Sequence, residues 1–198
     1  MSRLKKLNRL LPLVAIGTVA DCQSIIEPTN RLLVKTGLQI LQNRQHNIVG
    51  LNELIDQTGL SEKMNQGYEL TSQDLGFTLS PILNSSGRIS HARLSIITLL
   101  AGNSNVRTTT LIEENQEYWQ EKAADLAGML IQTNSDRKLM VKDILGEVEL
   151  EAERQFQEGN KLLWLEGNWN KGIIGLLASR LVNQYDIPVV VISLGDEE

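Results

Sequence analysis

Three short stretches of the chain hold residues able to do chemistry. In Leu11-Pro-Leu-Val-Ala-Ile-Gly-Thr-Val-Ala-Asp21 a carboxylate closes an apolar run. Such a group stands at the edge of a core, where it must be paired, hydrogen-bonded or bound to a metal. If the run is helical, Asp21 also meets the negative end of the helix dipole, which disfavours it by roughly a few tenths of a kcal/mol unless a cation compensates. A plainer role fits too, that of a turn-initiating aspartate ahead of Ser24 and Pro28, and one carboxylate does not define a metal site.

The second stretch is Leu79-Ser-Pro-Ile-Leu-Asn84-Ser-Ser-Gly87-Arg88. On a helix, Asn84 and Arg88 share one face with only small residues between them, so an amide and a planar guanidinium can reach one phosphate together. The alternative is a helix C-terminus with Gly87 in the left-handed conformation and Arg88 solvated. The third is Asn168-Trp-Asn170-Lys171-Gly172-Ile-Ile-Gly175-Leu-Leu-Ala178-Ser179-Arg180-Leu. Gly172, Gly175, Ala178 and Ser179 leave a stripe almost free of side chains that can press on a sheet or on a ligand's backbone. Asn170 and Lys171 precede a helix start whose N–H groups suit an anion. The spacing is neither that of a Walker loop nor that of a dinucleotide fingerprint, which argues against a nucleotide cofactor.

These residues need elements to hold them, and the chain divides into three by hydrophobic period. Residues 1–103 read as short helices between turn signals. Pro28-Thr-Asn30 precedes a helix with Leu33, Val34, Leu38 and Leu41 at helical spacing, and Gly50–Asp56 is a further short helix closed near Gly59. Thr71-Ser-Gln-Asp74 has capping-box spacing and opens a helix bearing Leu75, Leu79, Ile82 and Leu83. Residues 104–158 read as a helical connector. From Arg107 to Glu158 there is no proline or Gly-rich break, and apolar residues recur at Leu111, Trp119, Leu126, Leu130, Met140, Ile144 and Val148. A continuous helix of that length would run about 78 Å at ~1.5 Å per residue, so it must bridge two bodies or fold back near Thr133-Asn-Ser135. In residues 159–198, Lys161–Glu166, Gly172–Gln184 and Ile187–Ser193 read as strand, helix and strand, a βαβ unit with parallel strands. The fold class is α/β overall but mostly helical. Because two strands do not make a stable sheet alone, the chain is expected to stop inside a domain.

Composition narrows the chemistry. The 198 residues carry 19 Lys+Arg against 24 Asp+Glu, a net charge of −5, and are 41% apolar. That composition suits a folded chain and excludes a wholly basic nucleic-acid coat. The acidity is local, since Glu113 to Glu158 holds 12 acidic and 5 basic side chains, most simply the solvated face of an amphipathic helix. The single cysteine, Cys22, leaves no disulfide framework and fits a reducing cytoplasm. The two histidines, His46 and His91, lie far apart without a nearby carboxylate pattern, which argues against a self-contained histidine metal site. No stretch has the roughly 18 apolar residues of a membrane span. Four cations ahead of Leu10–Ala20 imitate a signal peptide, but the run ends in Val-Ala-Asp21 and not at a small-x-small cleavage site, so export is not expected.

Taken in order, the three stretches resemble the RecJ family of single-strand-specific 5′-to-3′ DNA exonucleases, within the DHH phosphoesterase superfamily. Gly17-Thr-Val-Ala-Asp21 is similar to the last metal-ligand motif of the DHH domain, and Asp74 through Arg88 to its closing Asn/Arg motif. Asn134-Ser-Asp-Arg137, in the acidic stretch, is similar to the interdomain connector. Trp169 through Arg180 is similar to the opening of the DHH-associated domain. The resemblance implies residues 1–103 as the C-terminal portion of a DHH domain, 104–158 as the connector and 159–198 as the beginning of an incomplete DHH-associated nucleic-acid-binding domain. It also implies the helical reading of Leu11–Ala20, whose Val, Ile and Thr content would equally permit a strand.

By the same resemblance Asp21 is a ligand of Mn²⁺ or Mg²⁺ in a two-metal phosphodiester hydrolysis that serves DNA repair and recombination. Asn84 and Arg88 hold a DNA phosphate, while Asn170, Lys171, Gly172, Gly175 and Arg180 belong to the surface that grips single-stranded DNA. The departures bear on activity. No Asp-His-His occurs in the 198 residues, and Trp169-Asn170 stands where the family usually has Trp-His. The expectation is a central fragment of a RecJ-type exonuclease, inactive alone, with a complementary polypeptide carrying the Asp-His-His half as a possible partner. A non-catalytic DNA- or partner-binding remnant and another DHH phosphoesterase, such as an oligoribonuclease, are the alternatives; the long connector argues against the latter.

Overall fold

Proline within the first two positions of a helix loses no hydrogen bond, because the first turn's N–H groups have no partner in the helix. Pro12 and Pro28 open two of the helices in this way. The computed structural model describes residues 7–101 and 123–195. The first part holds α1 (Leu11–Ala20), α2 (Pro28–Gln42), α3 (Val49–Gln57), α4 (Leu60–Asn65), α5 (Ser72–Asp74), a π-helical turn (Leu75–Leu79), α6 (Ser80–Ile89) and α7 (Arg93–Leu100). The second holds α8 (Ala123–Gln157), β1 (Leu163–Gly167), α9 (Ile174–Tyr185) and β2 (Val189–Ser193). The class is α/β and mostly helical, and α1 is a helix, as the resemblance implied.

The chain forms two compact units. The first comprises residues 1–84 and 93–131, and its core centres on Leu41, Leu51, Leu54, Ile55, Leu60, Leu75 and Leu79, with Ala127 and Leu130 of α8. Local chemistry sets its turns. The capping box at Thr71 forms, with Asp74 Oδ2 accepting from the Thr71 N–H and hydroxyl at 2.8 Å each and from the Tyr68 hydroxyl at 2.9 Å. The Gln42 carboxamide accepts from Leu70 N at 2.9 Å and donates to Tyr68 O at 3.1 Å, satisfying an extended segment that no strand pairs.

His46 is buried in this unit, its Nδ1 accepting the Ile48 N–H at 3.1 Å. Burial, with the nearby Arg44 charge as a lesser cause, lowers its pKa to about 4. The unfolded chain binds this proton below its ordinary pKa of 6.5 and the folded chain does not. The contribution is therefore complete above pH 6.5, is lost as pH falls, and levels off near 4. We expect the unit to lose on the order of 2 kcal/mol between pH 7 and 5 through this group. Urea midpoints at the two pH values should show a smaller drop in His46→Gln than in wild type.

The second unit comprises residues 85–92 and 132–198. Its strands pair in parallel, Leu163 opposite Val189 through Gly167 opposite Ser193, as the βαβ pattern predicts. The outward-facing backbone of Trp164 in β1 is occupied by the Gln155 carboxamide, which accepts from Trp164 N and donates to Trp164 O, both at 2.8 Å. Val141, Ile144, Val148 and Ala152 of α8 form a stripe at helical spacing against Leu163, Leu165, Ile173, Leu177 and Leu181.

Of the two readings left open for this stretch, the fold-back near Thr133-Asn-Ser135 is not what forms, because α8 is one helix of 35 residues through that point. No glycine or proline interrupts positions 133–135, and the Asn134 side chain binds Arg137 instead of competing for the backbone. The helix contributes residues up to Ile131 to the first unit and from Gln132 to the second. Its acidic face carries local pairs of the expected kind, with Arg154 bound to Glu151 at 2.6 Å and Glu158 at 2.7 Å. The stretch from Arg107 to Lys122, with Leu111 and Trp119, lies outside the described residues. Among the described residues no helix is long and apolar enough to cross a membrane.

Candidate functional site

Helix α6 presents its small residues unequally. Ser85 and Ser86 are fully buried, while Asn84, Gly87 and Arg88 are exposed. Asn84 and Arg88 lie one turn apart, as their spacing predicts. The alternative of a left-handed Gly87 cap is not what forms, since Gly87 is helical and the helix continues to Ile89. Arg88 is also not merely solvated: its Nη1 donates to the Gly172 carbonyl at 3.2 Å.

Gly172 meets the same residue from its other side. A Cβ placed there would lie 1.8 Å from the Arg88 carbonyl oxygen and 2.6 Å from its carbon, so only glycine fits. Just ahead of it, Asn170 Oδ1 accepts the Gly172 N–H at 2.8 Å and Asn170 O accepts from Ile173 N at 3.0 Å. Asn170 thus shapes the turn, and its amide oxygen occupies an N–H that the sequence offered to an anion. Helix α9 begins after this turn and buries Leu177, Leu181 and Tyr185, leaving Arg180 exposed; Lys171, in the turn, is exposed as well. Within the expected small-residue stripe, Gly175 is exposed with nothing within 4 Å of a Cβ, so the close approach belongs to Gly172 and not to Gly175.

A further residue enters from α8. Buried Asn134 accepts from Arg137 Nη2 at 2.9 Å and Nε at 3.3 Å, fixing a partly buried guanidinium. Burial first, and then the positive charges of Arg88 and Arg180, lower the Arg137 pKa. All three arginines belong to the second unit, and none forms an ion pair among the described residues. Sequence reading placed Asn134 and Arg137 in the connector without assigning them to the site. The available signal was an Asn-x-x-Arg pair inside an otherwise acidic stretch.

Asp21 is exposed at the end of α1, where its N–H donates to Gly17 O at 3.0 Å and its carbonyl accepts from Gln23 Nε2 at 3.3 Å. Among the described residues no group of three or more His, Cys, Asp and Glu is placed to hold a metal ion. Among the described residues, Asp21 is thus not joined by the further ligands that would complete a divalent-ion site.

No family model matches the chain. Over 193 residues it is 30% identical to the single-stranded-DNA-specific exonuclease RecJ of Bacillus subtilis (strain 168), which aligns with 96% of this chain and 21% of that protein. Over 197 residues it is 30% identical to the protein of the same name from Haemophilus influenzae, covering 95% of this chain and 29% of that protein. The chain thus spans roughly a fifth to three tenths of these curated relatives. Among solved structures, it is similar to RecJ from Thermus thermophilus in complex with Mn²⁺, with a TM-score of 0.69 at 23% identity over 94% of this chain and 24% of that one. It is likewise similar to an exonuclease RecJ bound to manganese, with a TM-score of 0.67 at 22% identity over 94% of this chain and 40% of that one.

Proposed function

Since the chain is RecJ-like in sequence along nearly its whole length and has the fold of solved RecJ structures, we propose that it supplies the strand-holding part of a RecJ-type 5′-to-3′ single-stranded-DNA exonuclease. In this reading residues 1–103 correspond to the end of a DHH domain, 104–158 to the connector and 159–198 to the start of the DHH-associated domain. Asn84 and Arg88 engage a backbone phosphate, with Lys171 and Arg180 adding charge along the strand. Asn170 and Gly172 act by shaping the turn that seats Arg88. The observation supporting this reading is the clasp between Arg88 and Gly172, which joins the arginine of the Asn/Arg motif to the glycine-rich helix motif within the second unit.

Phosphodiester hydrolysis with two divalent metals, and a part in DNA repair and recombination, belong to the whole enzyme that this reading implies. Mn²⁺ or Mg²⁺ is its expected cofactor, with Asp21 as one ligand. The residues present here do not make up that site, so the role assigned to this chain is holding the strand and not cutting it.

The test is fluorescence anisotropy of the purified chain with a 5′-phosphorylated single-stranded oligonucleotide across a salt series. Affinity should fall as salt rises, because each phosphate contact on a single strand contributes about 0.7 to the log–log slope. Arg88→Ala should weaken binding about tenfold and flatten the slope by about one contact. An affinity indifferent to salt, or to Arg88, overturns the reading. Incubation with Mn²⁺ should release no nucleotides; robust release abolished by Asp21→Ala would contradict the strand-holding assignment.

A further inference from the structure

Two guanidiniums whose charges act on a third, none of the three ion-paired among the described residues, form an incomplete electrostatic arrangement. Arg88 stands at the end of α6, Arg137 near the middle of α8 and Arg180 on α9. One apolar cluster brings these elements together, through Ile89 beside α6's end, Val141 and Ile144 of α8, and Leu177 and Leu181 of α9. Arg137 is held by the buried Asn134 and Arg88 by the Gly172 carbonyl. Two of the three are thus fixed by neutral acceptors, which orient a guanidinium without cancelling its charge.

Three carboxylates of the acidic helix are engaged by other groups. Asp136, next to Arg137 in sequence, accepts from Gln132 Nε2 at 2.8 Å. Glu147 accepts from Trp169 Nε1 at 3.2 Å, and Glu151 is bound by Arg154. Arginine stays protonated in proteins, so the repulsion persists at any working pH until an anion arrives.

We propose that Arg137, positioned by Asn134, joins Arg88 and Arg180 as the third guanidinium of one site that takes a single phosphate group of a nucleic-acid backbone. This deepens the strand-holding reading and rests on it for the source of the phosphate; the phosphate site itself rests on the geometry of the second unit. Guanidiniums suit the role, since a fork of N–H donors can meet two phosphate oxygens at once and Asn134 leaves part of Arg137's fork unoccupied. The long helix then contributes directly to ligand binding as well as linking two units.

The experiment titrates the full chain with inorganic phosphate by calorimetry at low ionic strength, and with single-stranded DNA by anisotropy, comparing wild type with Arg137→Gln, Arg180→Gln and Arg137→Lys. Wild type should bind one phosphate, and each Gln variant should weaken both phosphate and DNA binding at least fivefold. Arg137→Lys should recover only part of the loss, because an ammonium restores charge without the fork. Arg180 is exposed on α9 and outside the apolar cluster, so Arg180→Gln keeps the test decisive should Arg137→Gln disturb folding. Phosphate binding unchanged in both Gln variants overturns the inference even if DNA binds. Phosphate binding that depends on these arginines, in a chain that does not bind DNA, upholds the site and overturns the strand-holding reading instead.

Discussion

Gly172→Ala is expected to destabilise the second unit by about 3 kcal/mol, the upper end of the usual cost of overpacking, because the added atom must displace backbone. The new methyl would lie 1.8 Å from the Arg88 carbonyl oxygen. No rotamer change relieves this contact, since both partners are main chain. Separating them would also pull the Gly172 carbonyl from Arg88 Nη1 and strain the turn that Asn170 holds. Gly175→Ala, three residues on, is the control: its Cβ meets nothing, and alanine in an exposed helical position should stabilise by up to about 1 kcal/mol. Urea unfolding followed by tryptophan fluorescence suits this unit, which contains Trp164 and Trp169. Equal midpoints for the two variants would mean that α6 and the turn do not meet as described.

The second large effect falls in the first unit. Gly50 lies in α3, where helix propensity alone predicts that alanine should help by about 1 kcal/mol. Packing reverses the sign. A Cβ at Gly50 would sit 1.7 Å from the carbonyl oxygen of buried Thr98 in α7, beside fully buried Leu51, Leu54 and Ile55. We expect Gly50→Ala to cost about 3 kcal/mol, read as a lowered midpoint in far-UV circular dichroism. Gly146→Ala, in an open and exposed position of α8, should instead raise the midpoint or leave it unchanged. A stabilised Gly50→Ala variant would show that propensity governs this position and that α3 and α7 are not in backbone contact.

Much of the secondary structure was legible because its signals are local. The Thr71–Asp74 box, the proline-opened helix at Pro28, the helix closed at left-handed Gly59 and the β-branched strand after Ile187 each depend on residues a few positions apart. Where local signals left two readings open, the structure decided between them. A left-handed cap at Gly87 was one of two readings, and the helix continues through it; a fold-back at Thr133–Ser135 was likewise one of two, and α8 runs through that point with Asn134 bound to Arg137. The π-helical turn at Leu75–Leu79 has no local signature that the sequence reading used, although such turns recur near functional segments.

The same distinction holds for the site. Residue types and order nominated Asp21, Asn84, Arg88, Lys171 and Arg180, and suggested phosphate chemistry from amide and guanidinium groups one helical turn apart. They also raised the expectation of an incomplete metal site, from two histidines and no Asp-His-His, because ligand types can be counted without a fold. The meeting of Arg88, Arg137 and Arg180 could not be read this way. They are far apart along the chain, and Arg137 lies in a stretch whose 12 acidic side chains outnumber its 5 basic ones. Packing of the end of α6, α8 and α9 on one apolar cluster gathers these elements, and the charges of Arg88 and Arg180 act on Arg137, because repulsion depends on distance in space and not on position in the chain.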